Sequence, residues 1–331
     1  MWTTPSFTMD VLVTGAGGFL GRTLVRWLLA TGRRVRALVR PRSAVGQLPP
    51  EVEIVHGDAT DLSALRRAVE GCPWVYHLAG VRRAADRETF LTVNAGSTEL
   101  ILDACLEKGA AQRRFVLAGS LASLGPSRAG RREEDPFAPI EWYGESKAEA
   151  EQIALSYRDR LPIAIGRPPR ILGPGDKENL LFFRIVAKGF VLRIGGPERP
   201  LSFVDVDDCA RGFVMLGDLP QAVGEAFFLA SRERTSMLGL QEEVARAFGV
   251  TPRVLGVPAG VLPALALAAD GLSKLAGRAL PLNRKLVRQI LAAGWTCHAD
   301  KAERVLGFRA TTSLAESVAR SARYYREHHW L

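Results

Sequence analysis

Tyr143 and Lys147 stand four residues apart in Tyr143-Gly144-Glu145-Ser146-Lys147, inside a stretch with helical character. That spacing puts a phenol and an ammonium on one helix face, about one turn apart. A free phenol titrates near pH 10 and is a poor proton carrier at neutrality. A neighbouring cation stabilises the phenolate and brings it toward the working range. Ser120, in Ala118-Gly119-Ser120-Leu121-Ala122-Ser123-Leu124-Gly125, follows a strand-like run. A hydroxyl there can donate to a carbonyl oxygen as negative charge develops on it. The three residues suit proton transfer at a carbonyl or alcohol oxygen.

A second group precedes them. Gly15-Ala16-Gly17-Gly18-Phe19-Leu20-Gly21 joins a short apolar run to a helix. Gly15 permits the tight turn, Gly18 lets a pyrophosphate approach the backbone, and Gly21 lets the helix pack closely. The helix N-terminus then offers free N–H groups and a positive dipole to phosphates. An NAD-binding unit of this kind ends its second strand in an acidic residue, but here the sequence is Val39-Arg40-Pro41-Arg42-Ser43. A guanidinium at that tip matches a 2′-phosphate, so NADP(H) is expected, with NAD(H) as the alternative. Solvated Arg40 and Arg42, or Arg40 stacked on adenine, are the competing readings.

The elements that must position these groups follow from hydrophobic patterning. Strands are expected over 10–14, 34–39, 51–56, 74–78, 113–118 and 162–166, separated by helices over 22–31, 61–70 and 87–108 that stop at Gly32, Gly71 and Gly109. Strands alternating with helices imply an α/β fold with a doubly wound, Rossmann-like parallel sheet. This domain is expected over 9–172, with segments around 201–231 returning to it. A smaller, mainly helical lobe for substrate is expected from 173–200 and 232–331, with 226–230 the one further strand-like run. The apolar stretch 254–269 opens a helical pair ending near 293. It is too short for a bilayer span and is interrupted by Pro258 and Pro263. A buried helix is expected there, with a lid over a greasy pocket or a surface membrane contact as alternatives.

Composition narrows the class. Among 331 residues, 47% are hydrophobic and 24% charged, which excludes disorder and small disulfide scaffolds. Cys72, Cys105, Cys209 and Cys297 are widely spaced, so reduced thiols in a cytoplasmic setting are expected, and no metal site. No long apolar run opens the chain, so no secretory signal is expected, and Met9 reads as the start of the ordered fold. Lys and Arg number 44 against 35 acidic residues, giving +9, and only seven of the 44 are Lys. The charge reads as spread along the chain without aromatic interleaving, so a nucleic-acid partner is not expected.

With these motifs in place, the chain resembles the extended short-chain dehydrogenases/reductases of the NAD-dependent epimerase/dehydratase superfamily. The resemblance runs through Thr14-Gly15-Ala16-Gly17-Gly18-Phe19-Leu20-Gly21, His56-Gly57-Asp58-Ala59, His77-Leu78-Ala79-Gly80, Val93-Asn94, the Tyr143/Lys147 pair and Arg167-Pro168-Pro169. It continues in Gly173-Pro174-Gly175-Asp176, Phe203-Val204-Asp205-Val206-Asp207-Asp208 and Leu306-Gly307-Phe308. It implies that Asp58 contacts adenine, that Ala59 borders it, and that Leu78, Ala79 and Gly80 line the middle of the cofactor. Phe19, Leu20 and Pro168 join that set. Lys147 is expected to bond the nicotinamide ribose, Tyr143 to pass a proton to or from the substrate oxygen, and Ser120 to hold that oxygen. Asn94 is open between a site role and loop ordering, Ser123 reads as inconsequential, and Asp207 and Asp208 read as helix caps.

Departures from the family pattern sort the activity. Nucleotide-sugar enzymes usually carry Asn where Arg170 stands, and often Arg where Leu201 stands, although Arg199 could substitute. Dehydratases resemble one another in an Asp-Glu pair after the catalytic hydroxyl, where this chain has Leu121 and Ala122. These cannot abstract a proton. The resemblance therefore points to the reductase branch: hydroxysteroid dehydrogenase-like and dihydroflavonol reductase-like enzymes acting on a hydrophobic ketone or alcohol. Phe182, Phe183 and Phe190 are candidates for a lipophilic lining, and Arg170 for contact with a substrate carbonyl or carboxylate. A nucleotide-sugar 4-epimerase with tightly held NAD and a non-catalytic NADP(H)-sensing scaffold are the alternatives. Relatives often form homodimers through the helices matching 87–108 and 143–157.

Overall fold

A computed structural model of the protein describes residues 10–41, 47–107, 112–275 and 284–331. Arg42, Lys108 and Gly109 lie outside them. Strand β1 (Val11–Thr14) leads through the glycine-rich turn into α1 (Phe19–Ala30), followed by β2 (Val35–Val39), β3 (Glu53–His56), α2 (Leu62–Val69) and β4 (Trp74–His77). Next come α3 (Arg87–Phe90), a π-helical turn (Leu91–Gly96), α4 (Ser97–Glu107) and β5 (Arg114–Ala118). A 3-10 turn (Leu121–Ser123), β6 (Ser127–Arg131), α5 (Trp142–Ser156) and β7 (Ile163–Arg167) complete the first half.

The second half runs β8 (Arg170–Leu172), α6 (Leu180–Ala187), β9 (Phe190–Ile194), β10 (Pro200–Asp205), α7 (Val206–Asp218), β11 (Ala226–Phe228), β12 (Arg234–Ser236) and α8 (Met237–Phe248). It closes with β13 (Arg253–Val257), α9 (Leu262–Leu275), α10 (Arg284–Leu291), β14 (Trp295–Cys297), α11 (Asp300–Leu306) and α12 (Leu314–Glu327).

Seven parallel strands form the central sheet in the order β11-β7-β5-β4-β1-β2-β3. The chain winds outward from β1 to β3, then returns to place β4 on the other side of β1. The crevice beyond the carboxyl ends of β1 and β4 is therefore the switch point, where ligands of such sheets sit. Every residue of β1, β2, β5 and β7 is buried. Burial on both faces explains why these runs are continuous rather than alternating. Leu24, Val25 and Leu28 of α1 share one face with Phe213 and Leu216 of α7. Leu65 of α2 and Ile101 and Leu102 of α4 cover the other.

The second lobe holds more β-structure than its sequence suggests. Strands β12, β10, β14 and β6 form a second sheet, β8 joins it through β10, and β9 pairs with β13 in a parallel ribbon. These strands are mostly three to five residues long and pair across large sequence separations, so they lack a local periodic signal. Under them lies a core of Phe183, Val186, Val191, Phe203, Leu240, Val244 and Tyr325. The stretch 254–269 is likewise divided. Its first residues belong to β13, and among the described side chains of α9 only Leu262 and Ala266 are buried, whereas Leu265 and Leu267 are 47% and 60% exposed. No described helix is long and apolar enough to cross a membrane.

Candidate active site

At two positions of the glycine-rich turn, backbone contacts leave no room for a side chain. A Cβ on Gly15, whose φ is +70°, would sit 2.7 Å from Leu78 O and Ala79 N, and one on Gly21 would sit 2.2 Å from Gly15 O. Close packing of α1 on β1 and β4 therefore requires both glycines. Gly18 is the N-cap of α1, and no side chain caps that end. The N-terminal N–H groups of α1 are left for a ligand oxygen. These features fit a dinucleotide pyrophosphate. Phe19 and Leu20 open the same helix, with Leu20 packed on the core. Arg40 is exposed just past β2, and Asp58 is exposed just past β3, where its carboxylate accepts from Thr60 N (3.0 Å) and Thr60 Oγ1 (2.8 Å). Ala59 packs on the core beside it.

Across the switch point, a buried polar chain fixes the tips of β1 and β4. Ser97 Oγ donates to Val93 O at 2.6 Å, so its remaining contact with His77 Nε2, at 3.1 Å, must accept from the ring. His77 Nδ1 then accepts from the Thr14 hydroxyl at 2.8 Å, and Thr14 Oγ1 in turn accepts from Ala79 N at 3.2 Å. Burial holds His77 neutral, with its pKa pulled down to about 3. Leu78, Ala79 and Gly80 thus leave β4 along a fixed path. A Cβ on Gly80 would lie 2.8 Å from Asn94 Oδ1 and 3.5 Å from Lys147 Nζ, so the glycine lets this turn approach Lys147.

Helix α5 begins at a firm cap. Glu141 accepts from Tyr143 N at 2.9 Å and Gly144 N at 2.8 Å. Lys147 is buried one turn beyond Tyr143, and its Nζ donates to Ala118 O at 2.9 Å, the last residue of β5. Gly144 sits against the turn that Ser120 opens, since a Cβ there would meet Ala122 O at 2.5 Å. Ser120 caps that turn, its Oγ accepting from Ala122 N at 3.1 Å. Pro168, buried just past β7, accepts from Leu121 N at 3.1 Å. The ends of β5, α5 and β7 thereby bring Ser120, Tyr143, Lys147 and Pro168 into one region. Asn94 orders the neighbouring loop: it receives Val81 N at 2.7 Å and donates to Val81 O at 3.0 Å and Ser146 Oγ at 2.8 Å.

Several residues differ from their expected roles. Phe183 is a core residue, 1% exposed and packed edge-on against Phe248 and Tyr325, so it offers no surface to a substrate. Phe182 is partly buried against it, and Phe190 is 38% exposed on β9. Asp205, not its neighbours, caps α7; Asp207 receives Trp27 Nε1, and Asp208 receives Thr311 N and Thr312 N. Ser123 is engaged too: its hydroxyl lies 2.6 Å from Ser120 O and 2.9 Å from Glu151 Oε1 and shares its one proton between them.

Glu151 joins the site without being marked by the motifs. Its fully buried carboxylate accepts from Ser120 N at 3.2 Å and pairs with Arg167 at 2.6 Å. The signal was present, because Tyr143, Lys147 and Glu151 follow one another at intervals of four on one helix face. Arg82 is a second addition, its guanidinium 5.3 Å from the Tyr143 ring centroid. Arg170 donates to Asn179, which in turn donates to the buried Asp176 carboxylate. Burial, then the like charge of Arg82, pulls the Arg170 pKa below the usual arginine range.

A parallel doubly wound sheet with a glycine-rich phosphate cradle at its switch point defines a dinucleotide-binding enzyme class. The comparisons carry this further: residues 11–230 match the model of the NAD dependent epimerase/dehydratase family, and the chain belongs to that family. A ceramide reductase of Caulobacter vibrioides is 31% identical over 97% of this chain and 96% of its own. Among solved structures, that of gox2253 superposes with a TM-score of 0.82 at 26% identity, covering 97% of this chain and 99% of that one. A Bacillus cereus UDP-glucuronic acid 4-epimerase shares the fold at TM-score 0.77 and 21% identity, with 97% and 100% covered. The chain is thus an NAD-dependent type of enzyme with reductase relatives and epimerase fold neighbours.

Proposed function

We propose that the protein is an NADP(H)-preferring ketoreductase, or in reverse an alcohol dehydrogenase, for a hydrophobic small molecule such as a steroid, polyketide, aromatic ketone or 3-ketoacid. The observation that carries this reading is a Ser120–Tyr143–Lys147 constellation followed by no carboxylate: Leu121, 3% exposed, and Ala122 occupy the next two positions. Proton transfer at an oxygen is then supported, and abstraction from carbon is not. Ser120 donates to the substrate oxygen, Tyr143 delivers or removes the proton there, and Lys147 holds the cofactor ribose while presenting its charge to the phenol. Gly15, Gly18, Phe19, Leu20, Gly21, Asp58, Ala59, Leu78, Ala79, Gly80 and Pro168 bind the dinucleotide, which supplies or accepts the hydride. The exposed Arg40 receives the 2′-phosphate.

In this reading Arg170 meets a carbonyl or carboxylate of the substrate, and Phe182 contributes apolar lining. The segments 173–200 and 232–331 form the substrate lobe, and α4 and α5 a homodimer interface. Four free, buried cysteines suit a reduced, cytoplasmic setting. The name of the ceramide reductase supports a lipophilic substrate.

Oxidation of NADPH and NADH is compared across steroid, polyketide, 3-ketoacyl and aromatic ketones. NADPH should be consumed faster, and Arg40→Asp should raise its KM at least tenfold while sparing NADH. A faster rate with NADH overturns the assignment of Arg40. Conversion of a UDP-sugar without added nucleotide overturns the ketoreductase in favour of an epimerase.

A further inference from the structure

Basic charge gathers in the second lobe. Residues 180–200 and 250–295 hold ten Lys and Arg residues but only two acidic ones, Glu198 and Asp270, so they carry +8 of the chain's formal +9. The charge that reads as dispersed along the sequence is therefore concentrated in two stretches. The same stretches hold nine of the twelve large hydrophobic side chains that are exposed among the described residues.

The described parts of the two stretches pack together. Strands β9 and β13 pair along their full length, from Phe190↔Arg253 to Ile194↔Val257. Leu262 and Ala266 of α9 and Val287 of α10 pack on Ile194 and Val257 at the end of that ribbon. Leu265 and Leu267 lie outside this contact, and Val254 and Leu255, on opposite faces of the ribbon along its free β13 edge, are 57% and 46% exposed. A helix that is apolar on its packed side and its solvent side alike is suited to an apolar neighbour. Lys188, Arg193 and Arg253 are exposed beside these side chains, and none has an ion-pair partner among the described residues.

We propose that this edge of the second lobe, where β13 is a free edge strand, seats peripherally on an anionic lipid bilayer. Exposed leucines and valines enter the headgroup–acyl boundary while the basic side chains meet lipid phosphates, as in other interfacial surfaces. A second copy of the chain is a poorer occupant, because it would bring the exposed Lys188, Arg193 and Arg253 against their own copies. The surface also adjoins the candidate active site. Arg288 of α10 donates to Ile140 O at 3.2 Å, directly before Glu141, which caps the helix carrying Tyr143 and Lys147. A bilayer-dissolved substrate would therefore be delivered beside that helix.

Sedimentation of the full chain with vesicles tests the proposal. Binding is expected to vesicles containing phosphatidylglycerol, not to pure phosphatidylcholine, and to weaken with added salt. Each charge removed should weaken it about fivefold, so Lys188→Gln, Arg193→Gln and Arg253→Gln together should cost about a hundredfold. Leu265→Ser with Leu267→Ser should weaken it at low salt as well. Both variants should keep turnover of a small water-soluble ketone, since these side chains lie outside the candidate site. Failure to bind anionic vesicles, equal binding to neutral ones, or a dimer that the same substitutions disperse would overturn the proposal. Vesicle binding is measured without turnover, so its outcome is separable from that of the ketoreductase reading.

Discussion

The Glu151 carboxylate and the Arg167 guanidinium lie 2.6 Å apart, and their side chains are 0% and 4% exposed. The pair joins α5 to the end of β7, while the same carboxylate receives the Ser120 amide and the Ser123 hydroxyl. Arg167 also donates to Glu133 O at 2.7 Å. The backbone that presents the Ser120 hydroxyl is therefore anchored by a buried ion pair.

Removing one member of such a pair leaves an uncompensated charge in the interior, at a cost of about 3–5 kcal/mol. Glu151→Gln should lower stability on that scale in urea unfolding. Replacing both members, with Glu151→Met and Arg167→Met, should recover much of the loss. Equal losses for the single and double variants would show that packing, not charge, is what the site requires.

Tyr143→Phe keeps the ring against Arg82 but removes the transferable proton. kcat should fall about 10²- to 10⁴-fold, the usual share of a positioned acid or base. Dinucleotide affinity, followed by fluorescence quenching, should change little. Unchanged turnover would assign the proton to another group.

Glycines of the phosphate turn should separate binding from folding. Gly21→Ala puts a methyl 2.2 Å from Gly15 O, so backbone must move, and both stability and dinucleotide affinity should drop. At Gly18 the nearest atom would be 3.1 Å away and the position is exposed. Gly18→Ala should therefore reduce affinity at least tenfold with a smaller shift in the thermal midpoint. The contrast is measured by titration calorimetry and thermal unfolding.

His77 supplies a pH dependence whose sign follows from its burial. Its folded pKa, about 3, lies below the ordinary histidine value of 6.5, so between the two the unfolded chain binds a proton that the folded one does not. Its contribution is complete above about 6.5 and lost as pH falls toward about 3, by about 1.4 kcal/mol per pH unit. His77→Gln should flatten the fall in urea midpoint between pH 7 and pH 5 relative to the natural chain. An equally steep fall in the variant would assign the acid sensitivity elsewhere.

The first half of the fold is legible because its signals are local. Runs such as Val11-Leu12-Val13 and Phe115-Val116-Leu117 are long enough to demand burial, and Gly32 and Gly71 end their helical segments at positive φ. Tyr143 and Lys147 are legible for the same reason, since their relation lies within one helix. Strands β8, β10 and β14 are not, because each acquires its partners only after distant segments fold together. The π-helical turn around Asn94 also carries no mark in the sequence. Glu151 is not legible because a carboxylate on a helix normally faces water, and only Arg167 and the two serines of the β5 exit make its burial tolerable.

Thr14, His77, Ala118 and Arg167 are the last residues of four neighbouring strands, and the candidate site lies just beyond them. The buried lengths of those strands specify the scaffold, whereas the exits specify the reaction. An exit such as Leu121 and Ala122 after β5 can therefore be changed without renegotiating the interior. Such modularity accounts for one architecture serving both reductases and sugar epimerases, and it marks the strand exits as the places to graft a new activity.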